Sequence, residues 1–167
     1  QGDVDIAQNL SPEQLAAIQG KEGLATTSGD SLLLFYVGMN ATVAPLDKPQ
    51  VREALRMAID YDGIINGLIS GNGKKVQTII PAGLLGYNED APFQKDVEGA
   101  KALLAEAGVP DGFDIEMLVP AGAASGGIAW ADLAAKLQAD WAEIGVNVNI
   151  KQVEFAELLT SYRAQQG

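Results

Sequence analysis

Between Phe113 and Ile150 the chain changes its hydrophobic period twice, and that change restricts the fold more than any other feature. Phe113, Ile115, Met117 and Val119 alternate with mostly polar residues, the period-two pattern of a strand. Trp130, Leu133, Ala134, Leu137, Trp141 and Ile144 then recur at helical spacing, and Gly145 ends the run. Val146, Val148 and Ile150 alternate with Asn147 and Asn149 in a second strand. Strand, long helix and strand make a βαβ unit, so the two strands are predicted to be parallel with a right-handed crossover. The fold class is therefore α/β.

The preceding residues supply further elements. Residues 3–7 read as the end of a short strand. Ser11, Pro12 and Gln14 form a capping-box start for a helix that stops by Gly20. Residues 23–28 read as extended, with a turn at Gly29 and Asp30. The continuous apolar run 32–39 is expected to be a strand buried on both faces. In 51–60, Val51, Ala54, Leu55, Ala58 and Ile59 fall on one helical face. Asp62 is expected to cap a shorter helix carrying Ile64, Ile65, Leu68 and Ile69, ended by 71–73. Residues 76–93 read as irregular, with Pro81, Gly83, Gly86 and Pro92 spaced through them. Asp96 caps a helix through Val97, Ala100, Leu103, Leu104 and Ala107, closed by Gly108. A last helix carries Phe155, Leu158, Leu159 and Tyr162.

Composition removes several classes of function. The 167 residues contain no His and no Cys. Histidine-dependent triads, thiol chemistry and imidazole or thiolate metal sites are thereby excluded from this stretch. Acids outnumber bases 22 to 11 for a net charge of −11, which repels phosphate backbones and anionic lipid, so nucleic-acid binding is not expected. No apolar run approaches the roughly 20 residues of a membrane span, so the chain is not expected to be membrane-embedded. Residues 1–5 have neither a basic end nor an apolar signal region. That leaves a cytoplasmic chain, or one whose targeting segment is not part of this sequence.

The small-residue loop 120–127 is the leading site from physics alone. It leaves the C-terminal end of a strand and opens a helix N-terminus, where open α/β sheets bind ligands and where free amides suit a carboxylate or other anion. It lacks the lysine and hydroxyl of a P-loop. The opposing reading is a plain flexible connection. Asp60 with Asp62, and Asp111 with Asp114, are acidic pairs of a kind that can act as acid and base or hold Ca²⁺, but no calcium-loop spacing is present. A helix cap at Asp62 and a turn at Asp111 with Gly112 account for them more simply. Arg163 near the chain end is either solvated or a partner for a ligand carboxylate.

Several landmarks in order carry a family resemblance: Gly2-Asp3-Val4-Asp5-Ile6; Phe35-Tyr36-Val37-Gly38-Met39-Asn40; Val51-Arg52-Glu53-Ala54-Leu55-Arg56-Met57-Ala58-Ile59-Asp60; Ile80-Pro81; and Gly86-Tyr87-Asn88. Ala100-Lys101-Ala102-Leu103-Leu104-Ala105-Glu106-Ala107-Gly108, Pro110-Asp111-Gly112-Phe113, Ile144-Gly145-Val146 and Glu154-Phe155 complete the series. Across nearly its whole length the chain resembles the extracellular solute-binding proteins of peptide-type ABC transporters, which include dipeptide, oligopeptide, nickel and opine binders.

The resemblance implies a periplasmic-binding-protein-like lobe with βαβ units and a mixed sheet, part of a two-lobed (type II) binding protein. Residues 1–22 would end the first lobe, 23–35 would form the hinge crossover, and 36–167 would form part of the second large lobe. The implied function is capture of peptides in the periplasm and delivery to a permease, without catalysis, cofactor or metal. The alternatives are an opine, a sugar or a metal chelate as ligand, or a carboxylate-based enzyme. Ligand contacts carried onto this sequence fall on Ala121, Gly122, Ala123, Ala124, Ser125, Gly126 and Arg163. The implied partners are a peptide or other small solute and ABC permease subunits. The protein is expected to be a monomer, periplasmic or extracellular, and membrane-associated if lipidated. The family's W-x-x-D-Y-like stretch, whose acid pairs with a ligand amino group, would follow Gly167.

Overall fold

The computed structural model describes all residues except 1–3, 9, 28, 30, 77, 89–93, 125–127 and 165–167. The expectations for residues 1–3, Asp30, Pro92, Ser125, Gly126 and Gly127 therefore lie outside the described residues.

The βαβ unit forms as predicted. Strand β1 (Phe113–Pro120) and strand β2 (Val146–Val153) pair in parallel, with Phe113 opposite Val146 and Pro120 opposite Val153. Helix α5 (Trp130–Ala142) crosses between them. Among the described residues the sheet has these two strands alone, so it is purely parallel, and the antiparallel members of a mixed sheet are not among them. The strands begin beside two glycines with positive φ, Gly112 (+80°) and Gly145 (+81°). A Cβ on Gly112 would stand 1.9 Å from the Gly145 carbonyl oxygen, so glycine is required for the two turns to touch.

Three helices close the core. Helix α2 (Pro49–Ala58) buries Val51, Ala54, Leu55 and Ala58 completely, and Ile59 follows them inward. It packs chiefly on α4 (Val97–Glu106), whose Ala100 and Leu104 are likewise fully buried. Alanines on both faces let the two backbones approach closely. Trp141, Ile144, Val146 and Val148 complete the cluster from the βαβ unit. Helix α1 (Pro12–Ile18) has the predicted reciprocal capping box between Ser11 and Gln14 but buries none of its residues. Helix α6 (Phe155–Arg163) follows β2 after one residue.

Three expectations fail. Residues 4–7 form no strand end and are exposed, since no described strand pairs with them. The run 32–39 forms no strand, and Leu32, Leu33, Phe35, Tyr36 and Val37 are exposed. No described strand pairs with it, so its apolar composition does not translate into burial. Asp62 is not the cap of the next helix. Asp60 takes that place, its carboxylate accepting the Gly63 N–H at 2.8 Å. Helix α3 (Tyr61–Gly63) then widens into a π-helical turn (Ile64–Leu68). Asp60 also gains the Lys136 ammonium of α5 as a partner, at 3.1 Å.

Candidate functional site

The described part of the loop sits at the C-terminal edge of both strands. Ala121 continues the ladder, donating its N–H to the Val153 carbonyl at 2.8 Å. Gly122 then turns the chain with φ +93°. Its carbonyl accepts the N–H of Trp130, the first residue of α5, at 3.3 Å. Ala123 bridges Ala129 in antiparallel fashion, and the Ala124 N–H donates to the Ile128 carbonyl at 2.7 Å. The loop is therefore hydrogen-bonded to itself at both stems. The amides of Ala121, Ala124 and Trp130 are already engaged, which narrows the set of free donors that the sequence suggested.

What the loop offers is main chain. Ala121, Gly122 and Ala123 are exposed, carry no polar side chain and leave room for close approach, while Ala124 turns inward. Ala129 takes the cap position of α5 without any side-chain hydrogen bond, so the positive end of that 13-residue helix is not neutralised by a cap. An anionic or carbonyl-bearing ligand is the chemical complement of such a surface.

Among the described residues no hydrogen bond or ion pair gathers Arg163 into this loop. It is exposed in the last turn of α6, where its charge also suits the negative helix end. Eight residues of helical rise place it about 12 Å along the axis from the start of α6 at the strand ends. Its neighbour Tyr162 lies against Gly38, with a ring carbon 3.8 Å from where a Gly38 Cβ would stand.

The opposite end of α5 carries a network that sequence reasoning missed. Asp140 is 2% exposed among apolar residues. Its carboxylate accepts the Asp60 N–H at 3.1 Å and the Lys136 ammonium at 2.6 Å, with Lys95 at 3.6 Å. Lys136 also reaches Asp60 at 3.1 Å, and Lys95 reaches Glu143 at 2.5 Å. The Gly63 N–H and then Lys136 hold the Asp60 carboxyl below the usual aspartate range. Desolvation opposes the charge on Lys136, but its bonds to Asp140 and Asp60 outweigh that, and its pKa lies above the ordinary lysine value. The signal in the sequence was an acid placed on the apolar stripe between Leu137 and Trp141, one turn beyond a lysine. Trp141 adds an indole N–H to the Leu55 carbonyl at 2.8 Å, satisfying an acceptor in the last turn of α2.

These acids and bases answer one another. Asp111 forms a turn, as expected, and Asp114 accepts the Asn147 amide at 2.9 Å. A depression of about 270 Å³ beside Asp60, Tyr61, Asp62, Lys75, Gln94 and Lys95 has Lys75 and Asp62 3.6 Å apart. Burial pushes the Tyr61 phenol up to about 12. A shallow depression of about 350 Å³ lies against the start of β2, where Gln138 donates to the Val148 carbonyl at 2.6 Å. Both depressions lie toward the strand N-termini, away from the loop. Among the described residues no group of three or more potential ligands is placed to hold a metal ion, and no helix is long and apolar enough to cross a membrane.

Comparison with known proteins places this geometry in context. The sequence model of bacterial extracellular solute-binding proteins, family 5 Middle, matches residues 1–167. The dipeptide-binding protein of Escherichia coli K12 is 33% identical over 157 residues, which is 93% of this chain and 29% of that protein. Di/tripeptide-binding protein 3 of Pseudomonas aeruginosa is 32% identical over 173 residues, covering 95% of this chain and 30% of its own length. Among solved structures, the dipeptide-binding protein of Pseudoalteromonas sp. SM9913 in complex with Met-Leu superposes with a TM-score of 0.81 at 28% identity. That match covers 95% of this chain and 31% of the solved one. The chain thus spans less than a third of the length of these relatives.

Proposed function

We propose the function of this chain from one premise: it belongs to the bacterial extracellular solute-binding proteins of family 5, whose model it matches along its whole length. The family consists of transport binding proteins, not enzymes. Its α/β fold, with a parallel strand pair under crossing helices, agrees with the structure of the peptide-binding relative. Within that frame the chain contributes one wall of a ligand cleft in the substrate-binding component of an ABC importer. The ligand class is short peptides, as the names of the dipeptide- and di/tripeptide-binding relatives support.

The observation that carries this reading is the self-bonded loop at the C-terminal edge of β1 and β2, with Ala121, Gly122 and Ala123 exposing main chain beside an uncapped helix N-terminus. Peptide ligands bring their own amides, carbonyls and a carboxylate, and main-chain recognition tolerates variation in their side chains. In this reading Arg163 supplies a charge at the cleft margin, and Ser125 and Gly126 belong to the same loop. Residues 23–35 act as the hinge crossover between an end segment of the first lobe, 1–22, and the second lobe, 36–167. Closure over the ligand then follows from its better fit to the closed form. Delivery goes to the permease subunits, and the protein works as a periplasmic or extracellular monomer, membrane-associated if lipidated.

A thermal-shift and calorimetry screen of the protein carrying this sequence, at its natural full length, tests the proposal. Dipeptides and tripeptides are expected to raise the melting temperature, since ligand at about 100 times Kd contributes about 2.7 kcal/mol. Opines and sugars form the comparison arms. A response to those with none to any peptide overturns the ligand class.

A further inference from the structure

We propose that Phe35 is a positioning residue of the ligand loop, acting through Trp130 and resting on the reading of that loop as a peptide contact. Phe35 belongs to the run 32–39, which has no strand partner and stands largely in solvent; Phe35 itself is 48% exposed. Its ring nonetheless meets Trp130 edge-on, with centroids 5.4 Å apart and planes inclined by 70°. That geometry sets the positive edge of one ring against the negative face of the other, so the contact has a preferred orientation as well as contact area.

Trp130 is where such a contact has leverage. It is the first residue of α5, only half-buried, and its N–H closes the loop onto the Gly122 carbonyl at 3.3 Å. The neighbouring Ala129 completes the bridge to Ala123. The cap residue Ala129 makes no side-chain hydrogen bond to this helix end, so the local backbone lacks the usual fastening there. The Phe35 ring supplies a fastening from outside the loop. Three residues further on, Gly38 lies against Tyr162, next to Arg163. Three residues span at most about 11 Å, so one short stretch touches both the loop stem and the helix end that bears the arginine. The spacing between the two parts of the proposed cleft is thus set by residues 35–38.

Hydrogen exchange and peptide binding, measured together on the full-length protein, test this. In F35A the ligand-free protein is expected to exchange the Ala124 and Trp130 amides about tenfold faster, with the buried end of α5 around Trp141 unchanged. Met-Leu, used as the probe, is expected to bind roughly three- to tenfold more weakly, the range of an aromatic pair contact. F35Y, which keeps the ring, is expected to restore both, whereas F35L is not. Unchanged exchange in F35A overturns the inference, as does acceleration along the whole of α5, which would mean general destabilisation. Local acceleration with unaltered affinity for Met-Leu also overturns it. If the unmodified protein binds neither Met-Leu nor any other peptide, the peptide reading fails, and the exchange measurement alone decides the role of Phe35.

Discussion

The two ends of α5 are built on opposite principles. At its C-terminal end Asp140 and Trp141 are buried and reach across the core, bonding the Asp60 N–H and the Leu55 carbonyl on distant parts of the chain. At its N-terminal end Trp130 is half-exposed, the cap residue is alanine, and the loop is tied by its own main chain. One end is an anchor in which each polar atom has a defined partner. The other is a platform whose small residues leave main chain accessible. Under the proposed function both are needed, because a ligand surface is useful only if something rigid holds it at a fixed distance from the rest of the cleft.

The largest expected effect comes from breaking the anchor. Asp140→Leu removes the acceptor for the Asp60 N–H and takes away the carboxylate that Lys136 and Lys95 share, leaving them Asp60 and Glu143. Loss of one partner in a fully buried pair costs about 3–5 kcal/mol. Here both lysines reach solvent, so a cost of about 2–3 kcal/mol is expected in urea unfolding, with peptide affinity of the remaining folded protein retained. A neutral result would mean that the polar end is not the anchor.

Making the two ends alike gives a smaller effect of opposite sign. Ala129 has the extended backbone of a helix cap, with φ −68° and ψ 130°. Ala129→Ser should therefore accept a first-turn N–H and stabilise the fold by about 0.5–1 kcal/mol. If the open helix end serves the ligand, the same variant binds peptide more weakly. Greater stability with unchanged affinity would assign the missing cap no part in binding.

The smallest effect concerns the rim of the anchor. Asp60 has a folded pKa below its unfolded value near ~3.9, because Gly63 and Lys136 favour the carboxylate. Its contribution is therefore complete above the unfolded pKa and is lost as pH falls through the folded one. Asp60→Asn keeps an effective cap but loses the attraction to Lys136, at a cost of roughly 0.5 kcal/mol or less for so exposed a pair. The difference in urea midpoint between the two proteins should be constant from neutrality to about pH 5 and shrink only below about pH 4, disappearing as pH falls through the folded pKa. A difference that grows in acid would contradict the assignment.

Much of the framework around α5 and little of either of its ends could be read in advance. The face of α2, the capping box at Ser11, the Asp96 cap and the turn glycines Gly108, Gly112 and Gly145 all rest on neighbours within a few residues, and all form as expected. The loop's location followed from its place between a strand and a helix. Its internal bonds did not, since Val153 and Ala121 meet only once the strands pair. Local rules pointed to Asp62 as the cap, and the place went to Asp60, the residue that α5 could also supply with a cation.

The run 32–39 marks the limit of that reasoning. Its composition matches a doubly buried strand, yet Tyr36 is 71% exposed, because burial depends on a partner surface and no period within the run encodes one. By itself the sequence determined the α/β class, the parallel βαβ unit, most helix ends and the family. Each of these follows from local period, local caps or ordered landmarks. Tertiary structure alone decided that Asp140 would be buried, that Phe35 would rest on Trp130, and that the loop would close on itself. Those outcomes turn on groups separated by dozens of residues, whose meeting is fixed by the packing of the whole core.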